Sequence, residues 1–374
     1  AKPGELPAAD VNGGRRRSVQ WRVSYRYTSC GRNFDIASVY ILIYMEDIVL
    51  SGIRSTGNLH LGNYFGALRN FVKMQYENRC YFFIADLHAL TTHPDPKILH
   101  ENVKNALAQY LAAGLDPEKS TIYIQSDVPE IAEMYLLMNM HVYVGELERT
   151  ASFKDKVRKQ PENVNAGLLT YPSLMAVDIL IHRATKVPVG KDQEQHLELT
   201  RRFARRFNNI YGVEFFPEPQ NFNFGHDAVK VPGLDGSGKM GKSEGNCISL
   251  IDEEKVIRKK VMKAVTDEGP KTPDSEMSEP IKNLFTILDL VSTPDTVAYF
   301  TEQYKNCSIR YGDLKKQLAE DILKYTLPIK ERYADIINDE AYLRKVVTCG
   351  AERARASASA TLREVREIMG IRKF

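Results

Sequence analysis

Residues 47–63 read Asp-Ile-Val-Leu-Ser-Gly-Ile-Arg-Ser-Thr-Gly-Asn-Leu-His-Leu-Gly-Asn. The triplet Ile48-Val49-Leu50 predicts a strand that breaks at Ser51-Gly52, and a helix is predicted over 63–78 after the glycine-rich turn. A strand, a turn and a helix in that order begin a parallel sheet wrapped by helices. Downstream the alternation repeats. Residues 80–85 (CYFFIA) form an unbroken apolar run, as expected of a strand buried on both faces. A helix is predicted over 97–113, with Val103, Leu107, Tyr110 and Leu111 on one side and a stop at Gly114. Further strands are predicted at 121–125 and 186–190, with helices over 129–140, 167–182 and 192–208. The fold class is therefore α/β, a doubly wound, Rossmann-like parallel sheet, with a catalytic domain expected over 45–250. Beyond the glycine-rich segment at 233–245 strand signals fade, and 252–265, 311–325 and 342–367 read as helix. An all-helical domain is expected over 251–374.

Composition narrows the class. The chain has 374 residues, 43% hydrophobic and 26% charged, with no uncharged apolar run near the roughly 20 residues that cross a bilayer. Its formal charge is +3, but residues 1–44 alone contribute +4, so the remainder is close to neutral. A nucleic-acid partner would have to be met by local patches such as Arg201, Arg202, Arg205 and Arg206, which read equally as a solvated helix face. The five cysteines show no CxxC spacing, suggesting neither a zinc site nor a disulfide framework and fitting a reducing compartment. Residues 1–44 show no sustained period and precede Met45. They read as a translated upstream segment, an arginine-rich organellar transit peptide or an appended element. The expected location is cytoplasmic, or organellar if that stretch is a transit peptide.

Two segments carry chemistry. The turn at 51–63 lies where a parallel sheet binds ligands, at the carboxyl edge of its first strand against a helix N-terminus. It is not GxGxxG, so a dinucleotide fingerprint is not supported. The loop at 236–243, Gly-Ser-Gly-Lys-Met-Gly-Lys-Ser, sets Lys239 and Lys242 three residues apart in a glycine-rich frame that can close on a triphosphate. Its letters satisfy GxxxxGK[ST], a match read as coincidence because that motif needs its own upstream strand early in the sheet. Either segment alone is also readable as a plain turn.

Together, HLGN after the first strand and KMGKS after the last resemble the HxGH and KMSKS signatures of class I aminoacyl-tRNA synthetases. Four more segments, ADLHAL at 85–90, GELER at 145–149, GLLTYPSLMAVDIL at 167–180 and PVGKDQEQH at 188–196, are similar to the bacterial-type tryptophanyl-tRNA synthetase family. The resemblance covers 48–374. It implies activation of L-tryptophan by ATP with Mg²⁺, then transfer to tRNA(Trp), by a homodimer whose helical tail reads the anticodon. By the same resemblance Asp178 accepts the indole N–H, with Met175 and Tyr171 walling the pocket and Gly52 lying against it. Gln193 and Tyr171 hold the ammonium, and His88 lies near the carboxylate. Asp192 takes the ribose hydroxyls, and His60, Gly62, Asn63 and Gly190 line the nucleotide. Lys156, Lys239 and Lys242 meet the phosphates, beside Met240 and Ser243. The catalytic set is Lys239, Lys242, Lys156 and Asn63, with no metal-ligating residue. Arg54 stands where relatives have Gln, with an ATP phosphate or the substrate carboxylate within its range, and Gly241 replaces the first Ser of KMSKS. Rival readings are a tyrosine-specific relative, a small-molecule nucleotidyltransferase and a non-catalytic module.

Overall fold

The computed structural model describes residues 47–372 except 56, 191–192, 223–229, 243 and 274. Residues 1–44, Asp192 and Ser243 lie outside the described residues. Strand β1, Ile48–Arg54, is longer than predicted. Gly52 does not end it, because the glycine permits close approach to the next strand: a Cβ there would lie 2.8 Å from the Phe83 carbonyl oxygen. A helical run, α1, is assembled from Leu61–Asn63, a π-helical turn Tyr64–Leu68 and Arg69–Met74. Strand β2, Arg79–Ala85, is buried from its second residue to its last. Next come α2, Pro96–Ala112, capped by the Asp95 carboxylate, and β3, Thr121–Ile124.

Helices α3, Glu130–Asn139, α4, Val144–Glu148, α5, Ala151–Lys159, and α6, Ala166–Ile181, precede β4, Lys186–Val187. Helix α7, Glu194–Tyr211, stops at the left-handed Gly212 and leads to β5, Gln220–Asn221. The order is β3-β2-β1-β4-β5, every pair parallel. The direction of winding reverses between β1 and β4, so their carboxyl ends flank the crevice in which such sheets bind ligands.

Each face of the sheet has its own core. Phe65 and Leu68 of α1 and Leu107 and Tyr110 of α2 pack with Val49, Phe82 and Ile84. On the other face, Met134, Val177, Phe203 and Phe207 pack with Leu50, Tyr81 and Tyr123. The later helices are α8, Glu254–Met262, α9, Glu279–Val291, α10, Pro294–Lys305, α11, Tyr311–Asn338, and α12, Glu340–Ile368. They build on these same cores, and 46–374 forms one compact unit. Helix α12 contributes Leu343 and Val346 to the first core and Ala358 and Leu362 to the second. It therefore passes along the open edge of β3. Gly350 sits at the crossing, where a Cβ would come within 1.7 Å of the Ile122 carbonyl oxygen. Among the described residues no helix is long and apolar enough to cross a membrane.

Candidate active site

The fold brings the two glycine-rich segments together. His60 caps α1: its Nδ1 accepts from the Gly62 N–H at 3.1 Å, and the Asn63 side-chain oxygen accepts from the His60 N–H at 3.0 Å. This is a reciprocal capping box. A Cβ at Gly62 would lie 2.8 Å from the His60 ring, so the cap itself demands glycine. Burial, then the charges of Lys242 and Lys239, lower the His60 pKa to about 4. The ring is neutral near pH 7. Since Nδ1 accepts, its proton rides on Nε2, which becomes a donor.

Residues 248–250 run antiparallel to 59–61. The Leu61 N–H donates to the Ile248 carbonyl at 3.0 Å, and the Leu250 N–H to the Leu59 carbonyl at 2.9 Å. Met240 is buried, its Cβ 3.7 Å from where a Gly62 Cβ would stand. Lys239 and Lys242 keep exposed side chains, although lost hydration lowers the Lys242 pKa. The loop is ordered by Asn246. Its oxygen accepts from the Gly241 N–H at 2.9 Å, and its NH₂ reaches the Asp235 carboxylate, the Ser237 hydroxyl and the Lys239 carbonyl at 2.9, 2.8 and 3.2 Å. A Cβ at Gly233 would fall 2.2 Å from that NH₂. The P-loop letters at 236–243 are not followed by a helix, since α8 starts only at Glu254.

Asp178 is 1% exposed on α6. The Nε2 of His88 is 2.9 Å from its Oδ2, and the Gln125 NH₂ donates to Oδ1 and Oδ2 at 2.8 and 3.0 Å. The Gln125 oxygen accepts from the His88 backbone N–H at 3.4 Å. Burial raises the Asp178 pKa, while His88 and Gln125 pull it down. A carboxylate offers about four acceptor positions, so room remains for another N–H. His88, implied by the resemblance to lie near the substrate carboxylate, is engaged with Asp178. Met175 is half-buried one turn before Asp178, and Tyr171 two turns before.

Helix α5 carries Lys156, whose Nζ is 3.4 Å from the Tyr171 ring centroid. That nitrogen is buried and has no hydrogen-bond partner. Burial, then the Arg54 charge, lowers its pKa to about 8. A buried ammonium that has only an aromatic face against it in place of hydrogen-bond acceptors, with the Arg54 charge nearby, favours an anion. The Tyr171 hydroxyl lies 2.6 Å from His196 Nε2, and Gln193 Oε1 lies 3.0 Å from His196 Nδ1. Gly190 begins the turn into α7, its carbonyl accepting from the Gln193 N–H at 2.9 Å.

The arginines of α7 are paired within the protein. Arg206 clamps the Glu146 carboxylate of GELER with two nitrogens at 2.9 and 2.7 Å, fastening α4 to α7. Arg201, Arg202 and Arg205 each lie within ion-pair distance of Glu198. Sequence reasoning missed Gln125 and Asn246, for which no local signal exists. It quoted His196 but gave it no role, although its three-residue spacing from Gln193 on one helix was visible.

The family described as tRNA synthetases class I (W and Y) matches residues 46–325. The chain belongs to this family. It is 65% identical over 326 residues to the tryptophan–tRNA ligase of Porphyromonas gingivalis, covering 87% of this chain and 100% of that one. It also matches the structure of tryptophanyl-tRNA synthetase from Campylobacter jejuni complexed with ADP and tryptophan. There the identity is 34% and the TM-score 0.77, over 86% of this chain and 99% of that one. The Mycoplasma pneumoniae tryptophanyl-tRNA synthetase gives 32% and 0.75, over 87% and 98%. Its activity is accordingly that of a bacterial-type tryptophan–tRNA ligase.

Proposed function

We propose that the crevice between β1 and β4 performs both steps of this ligation with the residues assembled there. The tryptophan carboxylate attacks the α-phosphorus of ATP, releasing pyrophosphate and forming tryptophanyl-adenylate. The 2′-hydroxyl of the terminal adenosine of tRNA(Trp) then takes the aminoacyl group. The carboxylate is already nucleophilic, so positioning and charge stabilisation dominate the first step. The buried Asp178 carboxylate, held by His88 and Gln125 with acceptor capacity left over, is the observation that carries the reading. An indole is a lone donor on a large apolar body, and one fixed buried acceptor selects it over phenylalanine.

Tyr171 and Gln193 hold the substrate ammonium, with Met175 and Gly52 walling the pocket. Neutral His60 donates from Nε2 to a phosphate, beside Gly62 and Asn63. Lys239, Lys242 and Lys156 neutralise charge growing toward pyrophosphate, with Arg54 supporting Lys156. Met240 is the buried residue of the loop that carries Ser243, Gly190 lines the nucleotide, and Asp192 takes the ribose hydroxyls. Magnesium bound with ATP would supply shielding of the phosphate charge. Among the described residues no group of three or more His, Cys, Asp or Glu side chains could hold a metal ion.

Residues 251–374 serve the tRNA anticodon, and the protein acts in the cytoplasm. Exposed Leu136, Met140, Tyr143, Val144 and Ile210 support a homodimer through the catalytic part. ATP–pyrophosphate exchange with each of the twenty amino acids, without tRNA, tests the pocket. Exchange driven by tryptophan alone is expected. A tyrosine signal would overturn the role of Asp178.

A further inference from the structure

The two oxygens assigned to the substrate ammonium converge on one buried ring. His196 is 1% exposed on α7, with Nδ1 3.0 Å from Gln193 Oε1 and Nε2 2.6 Å from the Tyr171 hydroxyl. We propose that His196 is a positioning residue that makes Tyr171 and Gln193 face the tryptophan ammonium with oxygen lone pairs rather than with hydrogens. The inference rests on the reading that Tyr171 and Gln193 hold that ammonium.

An ammonium has three donors and no acceptor, so each group around it must accept. Neither partner is committed to accepting by its own chemistry. A phenol can turn its hydrogen or its lone pairs toward a ligand, and an amide can turn its oxygen or its NH₂. A carbonyl oxygen opposite Nδ1 requires a proton on Nδ1. The neutral ring then has a bare Nε2, and the Tyr171 hydroxyl donates to it. One tautomer thereby fixes both groups: the hydrogen of Tyr171 is directed at histidine, and the Gln193 amide is held with its oxygen turned to the ring's N–H. Each oxygen is polarised by these bonds and can accept again. Ser152 Oγ, 2.9 Å from Nε2, shares that nitrogen's single lone pair with the shorter Tyr171 contact and links the ring to α5 one turn before Lys156.

The test uses the intact enzyme in ATP–pyrophosphate exchange, with indole-3-propionate as a competitive probe. That compound keeps the indole and carboxylate but has hydrogen in place of the ammonium. His196→Asn retains a donor near Nδ1 and loses the acceptor for Tyr171, whereas His196→Gln places an amide near Nε2 and loses the donor for Gln193. Each should raise KM for tryptophan by about tenfold or more while Ki for indole-3-propionate and KM for ATP stay within about twofold. A Ki that rises in step with KM would show that His196 only supports the pocket, and an unchanged KM would equally overturn the proposal. Tyr171→Phe and Gln193→Ala separate the underlying reading: if they raise KM for tryptophan but not Ki while the His196 variants do neither, the role of His196 alone falls. If they too leave the preference for tryptophan over the probe unchanged, the ammonium assignment itself is wrong.

Discussion

The two halves of the crevice are built on opposite electrostatic plans. At the amino-acid end, Asp178, His88 and Gln125 are buried and mutually hydrogen-bonded before any ligand arrives. At the proposed phosphate end, Lys239 and Lys242 press on His60, and Lys156, set against the Tyr171 ring, has a buried ammonium with no hydrogen-bond partner and faces the Arg54 charge. The first arrangement is held in place by internal hydrogen bonds with one acceptor position to spare, which suits discrimination. The second is strained by like charges that an anionic ligand relieves, which suits tight binding of charge developing on phosphates.

Four substitutions or conditions would break or sharpen this contrast. Asp178→Ala should have the largest effect, lowering tryptophan-dependent exchange by about a thousandfold or more because an unpaired indole N–H and two stranded donors remain. KM for ATP should stay within about twofold, and a matching loss of ATP affinity would show that the two ends are not separable. Lys242→Ala should lower kcat by about a hundredfold with KM for tryptophan unchanged, read from initial rates.

Asn246→Ala should lower kcat by about tenfold, since the loop loses its common anchor. Limited proteolysis within 233–246 should accelerate in the same variant, and unchanged cleavage would argue against Asn246 as the loop's organiser. The smallest effect is the pH response. Lys156 loses its charge as pH rises through about 8, so KM for ATP should climb between pH 7 and 9. Lys156→Arg keeps its charge over that range, and its profile should be flat. Parallel profiles in both enzymes would remove Lys156 from the phosphate site.

How legible these features are in the sequence follows from their range. Strands such as 80–85 show as apolar runs because both faces are covered, and the predicted face of α2 is buried as read. Strand β5 was missed, since two polar residues carry no period. The overrun of β1 past Gly52 was missed because only the neighbouring Phe83 explains that glycine. Within the candidate site, most residues named from the sequence lie in contiguous motifs. Gln125, 53 residues from Asp178, was missed. Asn246 lies just outside the lysine-bearing letters whose loop it organises, and its partners become apparent only when the loop folds back.

Gly350 makes a different point. The edge of β3 is closed by α12, and that closure depends on the absence of one methyl group. Gly350→Ala, normally a gain for a helix, should instead destabilise the protein by about 3 kcal/mol, as measured by the midpoint of urea denaturation. During synthesis the strand leaves the ribosome long before its cover does. Until α12 emerges, the nascent chain carries an unprotected sheet edge, so its hazard of sticking to another copy is set by translation of the tail rather than by folding of the catalytic half.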